Sequence, residues 1–82
     1  PSPVRILDVA TGSGDVALGV AARLASRRIA TDLVLCDRSA TALAEAARCA
    51  RCRNRGVETI EADVLATGIP MADRSVDVAM CS

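Results

Sequence analysis

One stretch limits what this chain can fold into more than any other: Arg5-Ile6-Leu7-Asp8-Val9-Ala10-Thr11-Gly12-Ser13-Gly14-Asp15. An apolar run ends in an acid, passes through a short turn with two glycines, and opens directly into a helix-like segment. Strand, tight glycine turn and helix start, in that order, bring an α/β backbone close to a nucleotide-like ligand. Glycine is demanded there because a Cβ would block the approach or forbid the turn's φ and ψ.

The remaining 71 or so residues read as scaffold for that turn or as further walls of one pocket. Residues 4–9 form an apolar run suited to a buried parallel strand. Asp15 suits a helix N-terminus, where its charge opposes the dipole. Val16, Val20 and Leu24 recur at i, i+4 and i+8 with Ala17 and Ala21 beside them, so they are expected to form the helix's inner face. Arg23, Arg27 and Arg28 close it. A second strand is expected over 33–36, closed by Asp37, after which Ser39 is a good N-cap. The next helix should turn Leu43, Ala46, Ala47 and Ala50 inward and end near Gly56 as its C′ residue. Residues 57–62 read as a third strand closed by Asp63, residues 64–74 as a loop with Gly68 and Pro70, and residues 75–81 as a fourth strand.

This β-α-β-α-β-loop-β order predicts an α/β fold, a parallel sheet with right-handed crossovers. In such a sheet ligands bind at the carboxyl ends of the strands. Asp8, Asp37 and Asp63 should therefore meet the glycine turn on one edge.

Composition adds exclusions. The chain has 82 residues, enough for one domain at most, and half are apolar, but none is aromatic. Its core must be Val, Leu, Ile and Ala. The formal net charge is zero, which gives no overall attraction to nucleic acid or membrane. All ten basic residues are Arg, and those at 48, 51, 53 and 55 read as a solvated helix end before an RNA-facing patch. No apolar run approaches the ~18 residues of a membrane span. With no secretory signal, the four cysteines suggest reduced thiols in the cytoplasm. Cys49-x-x-Cys52 lies mid-helix without a second pair or any His, so no metal site is expected. The chain opens Pro1-Ser2-Pro3 and stops at Ser82 just after an apolar run, which reads as part of a longer protein.

Two ligands compete for the turn. Gly12-x-Gly14-x-x-Ala17 fits the dinucleotide fingerprint, with Asp37 on a ribose, as in an NAD(P)-binding oxidoreductase domain. That reading gives no role to Asp63 and does not explain an acid four residues before Gly12.

Asp8-Val9-Ala10-Thr11-Gly12-Ser13-Gly14 resembles the first motif of class I S-adenosylmethionine-dependent methyltransferases, with Ala10 in place of the first glycine. Cys36-Asp37-Arg38-Ser39 resembles the second motif, Glu61-Ala62-Asp63-Val64 the third, and residues 69–78 the approach to the fourth strand. The turn from Ala10 to Ala17 is also similar to that of ubiquinone/menaquinone-biosynthesis methyltransferases and related small-molecule enzymes. The resemblance implies a partial S-adenosyl-L-methionine-binding domain over residues 1–82, with a Rossmann-like parallel sheet in the strand order 3-2-1-4 and the C-terminal strands and acceptor region lying beyond it. It further implies cofactor binding by Asp8, Ala10, Gly12, Gly14, Asp37, Arg38, Asp63 and Val64. Asp8 would help orient the ammonium end, directly or through water, Asp37 would hold the ribose hydroxyls, and Asp63 would accept from the adenine amino group. The Val64 N–H would reach a ring nitrogen, and Arg38 would stack on the adenine or point to water. The acceptor it implies is a small molecule such as a quinone precursor or phenol, with nucleic acid disfavoured because no Asn/Asp-Pro-Pro-aromatic motif ends strand four. A catalytic base would lie beyond Ser82, and a truncated, non-functional piece is the non-enzymatic alternative.

Overall fold

The computed structural model describes residues 3–63 and 76–81. The elements run β1 (Val4–Val9), α1 (Asp15–Ser26), β2 (Thr31–Asp37), α2 (Ala40–Cys52), β3 (Val57–Glu61) and β4 (Val78–Cys81). The sheet order is β3-β2-β1-β4 and every pair is parallel. This is the 3-2-1-4 Rossmann-like arrangement expected from the sequence. Val9 lies opposite both Cys36 and Cys81, and Asp37 lies opposite Glu61, so the strands' carboxyl ends are aligned along one edge.

The two sheet faces are filled by alternate residues of the same strands. On one, Ile6, Leu33 and Leu35 pack with Ala17, Leu18 and Ala21 of α1 and Leu43, Ala46 and Ala50 of α2. On the other, Leu7, Val34 and Cys36 pack with Val9, Ile60, Ala62 and Val76. Alanines on both helices let them sit close to the sheet, which is how an interior without aromatics is filled.

Several boundaries differ from expectation. β2 begins two residues early, because Thr31 and Asp32 pair with Val4 and Arg5 and the Arg5 guanidinium reaches Asp32 at 3.1 Å. β3 stops at Glu61, and β4 begins only at Val78. Just before β4, the Asp77 carboxylate accepts from the Arg5 N–H at 2.8 Å, and the Asp77 N–H donates to the Arg5 carbonyl. Within α1 the buried stripe is Ala17, Leu18 and Ala21, while Val16 is 52% exposed. Val20 and Leu24 only flank the core. The inward face is thus rotated from the Val16 line, placing the small residues where the helix approaches the sheet most closely. In α2 the buried residues are Leu43, Ala46 and Ala50, and Ala47 is half-buried. The loop expected over 64–74 lies outside the described residues.

Both helices end in the same way. Arg28 donates to Ala25 and Ile29 to Leu24; Asn54 donates to Arg51 and Arg55 to Ala50. These are Schellman caps, with Arg28 (φ 61°) and Asn54 (φ 54°) in the left-handed C′ position. Gly56 is therefore not the C′ residue of α2: the helix closes two residues earlier, on an asparagine that tolerates the left-handed region. Ser39 caps the start of α2, its hydroxyl accepting from the Ala42 N–H at 3.2 Å.

Candidate cofactor-binding site

The β1–α1 turn is wound through three left-handed residues, Ala10 (φ 57°), Gly12 (φ 58°) and Gly14 (φ 81°). The two glycines serve different ends. A Cβ on Gly14 would come within 3.1 Å of the Ala46 Cβ, so this glycine lets the turn press onto α2. A Cβ on Gly12 would meet nothing within 4 Å, leaving open space over that backbone. Ala10 occupies the same region of φ without glycine's freedom, at a cost of about 1 kcal/mol.

Hydrogen bonds across the edge fix this winding. The Thr11 N–H donates to the Cys36 carbonyl at 3.1 Å, and the Gly14 N–H donates to the Thr11 carbonyl at 3.0 Å. The Thr11 hydroxyl donates to Asp8 Oδ2 at 2.7 Å, with both side chains buried. Asp37 joins three segments: Oδ2 accepts from the Gly12 N–H, Oδ1 from the Ser39 N–H, each at 2.9 Å, and its carbonyl from the Ala62 N–H at 3.0 Å. The Ser39 and Gly12 amides hold the Asp37 carboxyl below the usual carboxylate range, against partial burial. Beneath it, burial and then the charge of Asp37 push the Cys36 thiol up.

A cavity of about 480 Å³ opens at this edge, lined by Val9, Ala10, Asp37, Arg38, Ala62, Asp63 and Cys81. Four of the residues singled out in the sequence, Ala10, Asp37, Arg38 and Asp63, are thus brought together. Gly12 is joined to the wall through Asp37. Asp8 is wholly buried beneath the turn, and Gly14 is packed against α2. Val64 lies outside the described residues. Sequence reasoning overlooked Cys81 and Thr11. Cys81 ends β4 opposite Val9, so the carboxyl-end rule that selected Asp37 and Asp63 applies to it equally. Thr11 carried no signal, because its role depends on Asp8 lying directly under it.

The family model described as "Methyltransferase domain" matches residues 6–82. The chain belongs to the methyltransferase-domain family. Its fold is the partial class I methyltransferase fold. Solved structures agree with this. The [4+2]-cyclase SpnF is 34% identical, with a TM-score of 0.76 over 95% of this chain and 27% of that one. A putative methyltransferase from Bacillus halodurans C-125 is 26% identical, with a TM-score of 0.73 over 99% of this chain and 32% of that one. The CMeT domain of the citrinin polyketide synthase is 17% identical, with a TM-score of 0.77 over 98% of this chain and 21% of that one, a likeness of fold alone. The methyltransferase domain described here therefore spans about a third or less of each of these chains. No curated protein matches it.

Among the described residues, no group of three or more His, Cys, Asp and Glu is arranged to hold a metal ion, and all four cysteines are free thiols. Cys49, on α2, sits 3.8 Å from Glu45. No helix among the described residues is long and apolar enough to cross a membrane.

Proposed function

We propose that this domain binds S-adenosyl-L-methionine in the cavity at the carboxyl edge of the sheet and serves methyl transfer to a small-molecule acceptor. One observation carries the reading: Asp37, Asp63 and the left-handed Ala10 line a single cavity, and the Gly12 N–H is bonded to Asp37 at its wall. The donor set suits such a ligand, which offers a ribose diol, an adenine amino group and a zwitterionic tail, and no phosphate.

Asp37 Oδ2 accepts the Gly12 N–H and Oδ1 the Ser39 N–H, and a carboxylate has about four acceptor sites, so it can still accept from the ribose diol. Asp63 lies on the same wall to accept from the adenine amino group, with the Val64 N–H next in sequence for a ring nitrogen. Arg38 lines the cavity beside Asp37 and offers a flat guanidinium to the adenine face, in a chain without aromatic residues. The open backbone of Gly12 and the N-terminus of α1 face the tail, whose carboxylate suits that end of the helix. Asp8, under the turn, supports the ammonium end through it. The volume lies within the about 300–1,000 Å³ typical of small-ligand sites.

When bound, the cofactor supplies an activated methyl group for in-line displacement by an O, N or C nucleophile. The chain's own contribution is placement, which accounts for much of the acceleration in such a transfer. A small acceptor such as a quinone precursor or phenol accords with the turn's similarity to small-molecule methyltransferases.

Binding of S-adenosylhomocysteine by calorimetry, with NAD as control, tests the reading. The expected result is saturable binding of the former alone. Binding of NAD alone would favour the dinucleotide alternative, and binding of neither by a folded protein would refute both. One matching structure is a [4+2]-cyclase, so transfer of labelled methyl to a phenol or quinol panel is measured alongside.

A further inference from the structure

Asp8 is a fully buried acid in a small domain, and the buried Thr11 hydroxyl beneath the turn donates to it at 2.7 Å. Burying such groups is unfavourable unless they are hydrogen-bonded. Between the two lies Ala10, whose φ of 57° puts a methyl-bearing residue in a region that favours glycine. On its amino side Ala10 follows Val9, fixed between β2 and β4. On its carboxyl side Thr11 is held through its amide to Cys36, its carbonyl to Gly14 and its hydroxyl to Asp8. Ala10 itself forms part of the cavity wall.

We propose that Thr11 is a positioning residue: with Asp8 it forms a buried strut that holds Ala10 left-handed and so sets the wall against which the ligand's amino-acid tail rests. The ligand half of this proposal rests on the cofactor reading above. The strut itself does not, because it is an internal relationship between a strained residue and the bond that holds it. Thr11 touches no ligand in this scheme. Asp8 too acts through the turn, by fixing Thr11.

The strut makes a specific demand of the sequence. With alanine at position 10, the Thr11–Asp8 bond must offset a strained φ. With glycine there, φ near +57° is unstrained and the bond is no longer needed to hold that conformation, so its loss costs only Asp8's hydrogen bond. Thr11→Val removes the hydroxyl at nearly constant shape, and Thr11→Ser keeps it. Ala10→Gly removes the strain.

The test uses the protein carrying this domain and two probes, S-adenosylhomocysteine and 5′-methylthioadenosine, which lacks the amino-acid tail. Thr11→Val is expected to weaken the tailed ligand about tenfold and the tail-less one by less than about twofold, the loss of one hydrogen-bonded group. Thr11→Ser should behave as wild type, and Ala10→Gly combined with Thr11→Val should regain the tailed ligand. Equal losses for both probes, or no loss for either, overturn the proposal. So does a double variant as impaired as Thr11→Val alone.

Urea unfolding of wild type, Thr11→Val, Ala10→Gly and the double variant reads the strut without any ligand. Thr11→Val should lower stability more with alanine at position 10 than with glycine, and additivity of the two substitutions overturns the strut. If Thr11→Val does not fold, recovery of a folded protein in the double variant supports the strut, and failure to recover overturns it. A wild type that binds neither probe refutes the cofactor reading and the ligand half of this proposal with it, while the unfolding comparison still decides the strut.

Discussion

The Gly12 N–H donates to Asp37 Oδ2 at 2.9 Å, across 25 positions of sequence. This bond joins the β1–α1 turn to the end of β2. Through the other carboxylate oxygen it reaches Ser39, which caps α2. The acid proposed to hold the ribose is thus already ordered by the backbone of the turn that would receive the rest of the ligand. A ligand meets a site whose geometry is set before it arrives, which lowers the ordering cost of binding.

Because its partners favour the charged form, Asp37 has a lower pKa in the folded protein than the ~3.9 of a free aspartate. The sign follows from linkage: the unfolded chain binds the proton first as pH falls, so the stabilisation is complete above the unfolded value and is lost as pH drops through the folded one. Urea unfolding followed from about pH 6 to pH 2 should show this acid-side loss, and Asp37→Asn should flatten that part of the profile. Wild-type and variant profiles of the same slope would remove Asp37 from the balance.

The two turn glycines should respond differently to alanine. Gly14→Ala pays for a positive φ and also forces its methyl to 3.1 Å from the Ala46 Cβ; a loss of about 2–4 kcal/mol is expected. Gly12→Ala meets no neighbour, so only the backbone cost of about 1 kcal/mol should appear. Calorimetric melting of both variants checks the order, and a Gly12→Ala loss as large as that at Gly14 would contradict it.

Arg28 closes α1 in a left-handed conformation with its side chain in solvent. Arg28→Gly keeps both backbone bonds of the cap and relieves the Cβ strain, so it should stabilise the domain by about 0.5–1 kcal/mol despite the freer unfolded chain. Arg28→Val should do the reverse, since a β-branched residue suits this region least. Denaturation midpoints of the pair read the sign directly.

On α1, Leu18 is fully buried and Val16 is 52% exposed. Leu18→Ala is expected to cost about 2–5 kcal/mol. Val16→Thr, on the outer flank, should stay within about 0.5 kcal/mol of wild type. Equal losses at the two positions in urea would place Val16 on the inward face after all.

Much of the framework is local and was legible in the sequence. Apolar runs closed by Asp37 and Asp63, a serine N-cap at Ser39, and a glycine turn opening on Asp15 dictate strand, turn and helix by near-neighbour sterics and hydrogen bonding. A parallel sheet with right-handed crossovers aligns the strands' carboxyl ends, and the resemblance to class I methyltransferases supplied the order 3-2-1-4, so the edge that gathers Ala10, Asp37, Arg38 and Asp63 was legible from pattern and motif together. The tertiary structure decided what depends on approach between distant segments. The turn of α1 that puts Leu18 inward and leaves Val16 outside comes from fitting small residues against the sheet. The need for glycine at 14 comes from Ala46, on another helix. Asp8 went beneath the turn because Thr11 closes over it, and the Asp37 carboxylate was engaged because Gly12 and Ser39 both aim an amide at it. A sequence pattern states which side chains are available and at what spacing; only the packed chain fixes which oxygen each N–H meets.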